Sequence, residues 1–328
     1  MTVLVTGGAG YIGSHTALAL CDAGEDVVIL DDLSTGFDFM VPARATFVRG
    51  DVADEALVGS LITTHRIEAV LHFAAQIVVS DSVVRPLDYY LANTTKTRAL
   101  LAAITRARIR HFIFSSTAAV YGERDNEPLR EDMAPAPINP YGRSKLMSEW
   151  MLEDAAAATG LSFAILRYFN VVGADPHGRS GETTLPATHL VKLAARAALG
   201  KHPALSVFGT DYPTPDGSCV RDYVHVSDLA QAHVAALTHL RRGAAPLKVN
   251  CGYGHGFSVL EVIDVVKRVS GVDFAVKIAP RRAGDPAVLI ADNRRITEIL
   301  GWTPQYDDLE AIVAHALEWE RQLVARNL

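Results

Sequence analysis

The stretch from Thr2 to Asp31 constrains the fold more than any other. A short apolar run, Thr2–Thr6, passes directly into Gly7-Gly8-Ala9-Gly10-Tyr11-Ile12-Gly13, followed by a helical pattern that closes at Gly24. Gly7 permits a tight turn, Gly10 lets the backbone approach a pyrophosphate, and Gly13 allows the helix to pack closely on the strand. The free N–H groups and positive dipole end of that helix then hold the anion. A glycine-rich string alone is a weak signal. Here a second apolar run, Val27–Leu30, completes a strand-turn-helix-strand unit, and Asp31 closes it. A carboxylate there accepts bonds from both ribose hydroxyls and repels a 2′-phosphate. Asp32 follows where an NADP-binding chain favours arginine. NAD is the expected cofactor.

The alternation continues along the chain. Phe47–Gly50, Ala69–Phe73, Phe112–Ser115, Phe163–Leu166 and Leu247–Asn250 read as buried strands. Leu57–Thr64, Tyr89–Ile104, Lys145–Ala158 and Ser227–Leu240 carry apolar residues at helical spacing. Such alternation predicts an α/β chain: a Rossmann-type doubly wound parallel sheet with a smaller α/β substrate domain. At 328 residues the length suits about two domains. We expect an NAD-binding domain over 1–170, a second domain over 171–328, and a return to the first at 225–250. Asp51 after the third strand, and Phe73-Ala74-Ala75 after the fourth, fall where adenine and ribose contacts are expected. The breaker-rich stretches Asp175–Gly178 and Pro213–Gly217 read as loops over a site.

Composition excludes several classes. A net charge of −6 disfavours a nucleic-acid partner, which calls for a basic face. Three separated cysteines, Cys21, Cys219 and Cys251, make neither a disulfide framework nor a metal site. No Lys or Arg precedes Arg44, so a secretory n-region is missing, and no apolar run spans a bilayer. No HExxH or GxSxG string is present, so zinc hydrolysis and serine-nucleophile chemistry lack support, and no metal is expected. A cytoplasmic protein without a membrane partner is the expectation.

Tyr141-Gly142-Arg143-Ser144-Lys145 places Tyr141 and Lys145 one turn apart on one helix face, with Pro140 as a start signal. Tyrosine ionises near pH 10, so acting as a base near pH 7 needs a lowering of about 3 pH units, or ~4 kcal/mol. An ammonium beside the phenolate, together with a positive nicotinamide ring, is a source of that lowering. Thr117 ends the strand Phe114-Ser115-Ser116-Thr117, where its hydroxyl can relay a proton between Tyr141 and a substrate hydroxyl.

With these strings the sequence resembles the extended short-chain dehydrogenase/reductase superfamily, and specifically the UDP-glucose 4-epimerases. Leu166–Asn170, Phe208–Pro213, Val220–Val226 and Pro280–Asp285 extend the resemblance over nearly the whole chain. It implies that Tyr141 and Lys145 act with Thr117 on a UDP-sugar. It implies cofactor contacts at Tyr11, Ile12, Val52, Asn93, Ser115 and Tyr168, besides the residues above. For the substrate it implies Arg221 and Arg282 at the diphosphate, Asn170 at a phosphate, Phe208 at the uridine end and Asp285 at a ribose. His189-Leu190 stand where relatives have Asn-Leu. Homodimers through Tyr89–Thr105 and Tyr141–Ala158 are implied as well.

Departures are visible. Lys96 replaces a glycine, which is expected to alter the local backbone and the nicotinamide side. Ile77 stands where some members place a cofactor-contacting lysine. Leu289 occupies a position where a large tyrosine excludes N-acetyl sugars, so UDP-GlcNAc stays open as a substrate, and UDP-xylose stays open because no residue visibly reads the sugar C6 group. Related 4,6-dehydratases carry Asp-Glu after the relay threonine, whereas Ala118-Ala119 stand here. A non-catalytic NAD-sensing scaffold, the remaining alternative, often lacks the Tyr-Lys pair.

Overall fold

In a computed structural model, which describes residues 1–124, 127–184, 186–282 and 285–326, the seven apolar runs become one parallel sheet. Its strands are β1 (Thr2–Thr6), β2 (Asp26–Asp31), β3 (Thr46–Arg49), β4 (Ile67–His72), β5 (His111–Thr117), β6 (Ser162–Tyr168) and the strand Leu247–Cys251. They lie in the order Leu247–Cys251, β6, β5, β4, β1, β2, β3. Winding reverses between β1 and β4, and the crevice beyond their carboxyl ends is where ligands bind in such sheets.

Strand residues alternate between two cores, as the pleat requires. Val3, Val5 and Ile29 pack under helix α1 (Tyr11–Asp22) and the helix Val226–Arg241. Leu4, Val28 and Leu30 pack under Glu55–His65 and Lys96–Arg106. Covering both faces explains why the strands read as nearly continuous apolar runs. The core beneath α1 continues through Val191–Ala198, Val262–Val266 and Ile312–Leu317, so the carboxyl half is joined to the sheet by packing. There Val220–Arg221 pairs with Phe257–Ser258 and Val288–Leu289, and Leu205–Phe208 pairs with Val276–Ala279.

One expectation changes. The helix expected over Tyr89–Ile104 is interrupted: Pro86–Tyr89 leads into a π-turn at Tyr90–Thr95 before Lys96–Arg106. Hydrophobic spacing does not reveal one added residue per turn, and such turns concentrate at functional positions. The stretch Asp175–Gly178 leads into Ser180, which is bonded to Ser14 of α1. Arg179 binds both Asp175 and Asp22, at the far end of α1 from the glycine turn. Among the described residues, no helix is long and apolar enough to cross a membrane.

Candidate active site

The glycine turn is fixed by sterics. Gly7 has φ +73°, and a Cβ there would lie 2.4 Å from the Ala74 nitrogen. A Cβ on Gly13 would lie 2.1 Å from the Gly7 carbonyl oxygen. Gly10 differs: a Cβ there meets Gly7 O at 3.3 Å and no other atom within 4 Å, so its open side faces away from the protein. Gly10 caps α1 without a side-chain bond, and no acidic residue stands in the first turn. Tyr11 and Ile12 open that helix, with the Tyr11 hydroxyl donating to Gly173 O at 2.7 Å. Backbone donors beside a glycine that leaves room for a ligand fit a dinucleotide pyrophosphate.

Asp31 ends β2 and is buried. Its carboxylate accepts from Ala9 N (2.9 Å) and Leu33 N (2.8 Å), so it braces the glycine turn. Burial pushes the Asp31 carboxyl up, and the two N–H groups counteract this in part. Beyond β3, Asp51 accepts from Ala53 N and from Lys96 Nζ at 2.6 Å, with Val52 buried beside it. The first turn after the π-segment aims the Lys96 side chain at the end of β3.

The helix Pro140–Thr159 starts where Asn139 Oδ1 accepts from Gly142 N at 2.8 Å and Pro140 supplies a helix-compatible first residue. Tyr141 and Lys145 are both buried. Lys145 Nζ donates to Ser115 O at 2.9 Å and lies 4.9 Å from the centre of the Phe114 ring. Burial lowers Lys145 to about 7, opposed by the charge of Glu149. Burial pushes Tyr141 up to about 12, with the Thr117 hydroxyl pulling it back. Lys145 alone thus does not produce the expected lowering of the phenol. Its ammonium is aimed at the β5 carbonyl, and a buried phenol without added positive charge stays protonated. Thr117 Oγ1 accepts from Ala119 N at 3.1 Å, which leaves its O–H to donate.

Around this pair the end of β4 continues into Phe73, Ala74 and Ala75. Phe73 packs on His233, with ring centres 4.9 Å apart. Tyr168 is hydrogen-bonded to Ser115 through its hydroxyl. Asn93, in the π-turn, accepts from Gln76 N and donates to Gln76 O and Ser144 Oγ. It ties the loop after β4 to the helix that carries Tyr141.

A cleft of about 350 Å³ opens at the carboxyl-half end, lined by Glu123, Arg124, Tyr212, Pro213, Arg281 and Asp285. Arg221 Nη2 is bound to Asp285 Oδ1 at 2.5 Å, while the Arg282 guanidinium stacks 3.7 Å from the Phe208 ring centre. Asp285 thus holds Arg221 within the chain itself. Ala283 and Gly284, from the same sequence string, lie outside the described residues. His189 precedes the helix Leu190–Ala198, its Nδ1 2.6 Å from Glu182 Oε1, and that carboxylate raises it. Asn170 begins the strand Asn170–Val172 and donates its N–H to Asp222 O.

The sequence profile of the NAD dependent epimerase/dehydratase family matches residues 3–252. The chain belongs to this family. A UDP-glucose 4-epimerase of Azospirillum brasilense is 57% identical over 98% of this chain and 92% of its own. One of Halalkalibacterium halodurans is 47% identical over 98% and 96%. The crystal structure of UDP-glucose 4-epimerase from Brucella ovis in complex with NAD superposes with a TM-score of 0.94 at 45% identity, covering 97% of each chain.

Within this epimerase-family framework, sequence reasoning missed two side-chain groups. Lys96 on Asp51 joins positions 45 apart, and no local pattern signals it. Glu149 carried a usable signal, standing four residues beyond Lys145 on the same helix face.

Proposed function

We propose that this chain is an NAD-dependent nucleotide-sugar 4-epimerase that interconverts UDP-galactose and UDP-glucose through a transient 4-ketose. The observation that carries this reading is the meeting of Thr117, Tyr141 and Lys145 at the carboxyl end of β5, inside an NAD dependent epimerase/dehydratase framework. Inverting C4 requires breaking a C–H bond that is not next to a carbonyl, so no side-chain base can remove that hydrogen as a proton. Bound NAD supplies the reversible two-electron oxidation of C4 that side chains lack. Gly7, Gly10, Tyr11, Ile12 and Gly13 hold its pyrophosphate end, Asp31 a ribose, and Asp51 and Val52 the adenine. Phe73, Ala74, Ala75, Asn93, Ser115 and Tyr168 bound the remainder.

Tyr141 Oη takes the proton of the sugar O4, directly or through Thr117 Oγ1, as the 4-ketose forms. The same oxygen returns the proton after the ketose has turned over. Lys145, held on Ser115 O, adds the positive charge that, with the cofactor ring, brings the phenol down from about 12. A sugar that must turn needs an anchor elsewhere. Arg221 and Arg282 grip the diphosphate, since planar guanidinium forks suit phosphate oxygens. Asp285 releases Arg221 to the diphosphate and takes a ribose hydroxyl, while Asn170, His189, Leu190 and Phe208 complete the wall.

One observation favours a broader sugar range. Leu289 packs with Ala118, Leu146 and Phe169 close to the end of β5, and leucine is smaller there than tyrosine. UDP-GlcNAc is therefore an alternative substrate, and UDP-xylose is another because no residue visibly reads the sugar C6 group. A 4,6-dehydratase needs an acid after Thr117, where Ala118 is buried; a non-catalytic scaffold needs no Tyr-Lys pair.

Residues 1–170 with 225–250 serve as the NAD-binding domain and the rest of 171–328 as the UDP-sugar domain. A homodimer forms through the exposed apolar face of Val83, Val84, Leu87, Leu91, Met147 and Trp150, on and beside the helices implied by resemblance. The protein works in the cytoplasm. The test is incubation of the pure protein, without added NAD, with UDP-galactose, UDP-GlcNAc and UDP-xylose. C4 epimerisation of UDP-galactose is expected. With bound NAD verified after denaturation, no C4 epimer from any of the three sinks the reading, and a 4-keto-6-deoxy product favours the dehydratase.

A further inference from the structure

One turn beyond Lys145 lies a buried charge cluster that the reaction scheme does not use. Glu149 and Arg167 are both withdrawn from solvent. Glu149 Oε1 accepts from Ser116 Oγ at 2.5 Å and from Arg167 Nε at 3.0 Å, and Oε2 lies 2.5 Å from Arg167 Nη2. The guanidinium stacks 4.9 Å from the Tyr121 ring centre, and its Nη1 has no partner among the described residues. Ser116 neighbours both Ser115, whose carbonyl holds Lys145, and the relay residue Thr117.

A buried ion pair is a poor source of stability, because desolvation offsets most of the attraction and an apolar replacement of equal volume is often as good. Its position gives it another use. Among the described residues, the charged and titratable groups packed about Lys145 include Tyr141 and Glu149 on its own helix, His72 on β4, and Arg167 and Tyr168 on β6. Lys248, from Leu247–Cys251, approaches Glu149 to 3.8 Å but pairs with Glu153 at 2.6 Å. Within this set Glu149 is the one carboxylate. Burial drives Lys145 towards neutrality, and Glu149 is the group that opposes it. A neutral Lys145 could not support the Tyr141 phenolate.

Resting on the epimerase reading, we infer that Glu149 is a positioning residue for the reaction. Clamped by Ser116 and Arg167, its carboxylate keeps the ammonium of Lys145, one helical turn away on the same helix, charged.

The test uses the NAD-loaded enzyme and Glu149→Gln, which keeps the Ser116 bond and removes the charge. Two readouts are followed against pH: kcat, and the ultraviolet absorbance of the Tyr141 phenolate by difference from the same protein carrying Tyr141→Phe. In Glu149→Gln, the acid limb of kcat and the phenolate onset should both move up by about 1 pH unit or more. KM for the UDP-sugar should stay within about twofold, because Glu149 touches no substrate. Glu149→Asp, which keeps the charge, should restore both pH positions. Should Gln alone leave Arg167 too costly to bury, Glu149→Gln with Arg167→Met removes both charges and should show an upward movement of smaller size, because the Arg167 charge acts on Lys145 with the opposite sign. An unmoved kcat limb and phenolate onset in the soluble variant overturn the inference, whatever happens to yield or Tm. If the unaltered protein epimerises no UDP-sugar, the functional reading fails, while the phenolate titration still decides the role of Glu149.

Discussion

The two ends of the site are built from different materials. At the amino-terminal end, Gly7, Gly10 and Gly13 shape a backbone cradle in which any added Cβ at Gly7 or Gly13 strikes main chain. At the carboxyl-half end the working parts are charged side chains already engaged with the chain itself. Arg221 holds Asp285 and Arg282 lies on Phe208. The first end is preformed and leaves no room for a side chain at Gly7 or Gly13. On the proposed function the second has to exchange partners when a diphosphate arrives, so its substitutions should act by degrees. Tyr141 and Lys145 lie between them, with Lys145 held by backbone through Ser115 O.

This contrast can be broken at several points. The largest effect is expected in the middle: Tyr141→Phe should lower kcat by at least ~10²–10⁴-fold while keeping bound NAD, measured by epimerisation assay and by NAD released on denaturation. Full activity in that variant removes Tyr141 from the chemistry. At the cradle, Gly13→Ala should abolish co-purifying NAD, because the new methyl would lie 2.1 Å from Gly7 O. Normal NAD content there would show that the turn yields more than its packing implies. At the other end, Arg221→Ala should leave NAD content unchanged and raise KM by roughly 10- to 100-fold. That is the range for losing a charge-assisted hydrogen bond, moderated by the release of Asp285. A fall in bound NAD instead would join the two ends into one cooperative unit.

The smallest effect is a pH dependence at His189. Glu182 raises this group above its ordinary value of 6.5. Its stabilisation is therefore fully present below about pH 6.5 and is lost as pH rises through the higher folded value. Relative to His189→Asn, the unaltered protein should lose stability over that rise. The difference should stay below ~1 kcal/mol, because the His189 side chain is 42% exposed and solvent screens the pair. Thermal melts of both proteins across neutral pH measure it, and parallel curves would remove the Glu182–His189 pair from the account.

Legibility in the sequence followed the range of each interaction. The inner strands were readable because burial on both faces leaves runs such as Val27–Leu30 and Phe112–Phe114 unbroken by polar residues. Tyr141 and Lys145 were readable because one helical turn fixes their relation. The π-turn at Tyr90–Thr95 was not, since Asn93 is held there by partners from Gln76 and Ser144, distant in sequence. The Asp175–Gly178 turn carried the right breakers for a loop, but composition does not say what a loop packs against.

By itself the sequence determined the glycine cradle, the acid at the end of β2, the parallel alternation and the Tyr-Lys spacing. Each is imposed by backbone sterics, pleat or helical pitch over a few residues. Only the tertiary structure decided that Lys96 meets Asp51, that Arg221 is held by Asp285, and that Glu149 sits clamped by Ser116 and Arg167 one helical turn from Lys145. A charge takes whichever partner the strand ends bring within reach, and that choice belongs to the winding of the sheet.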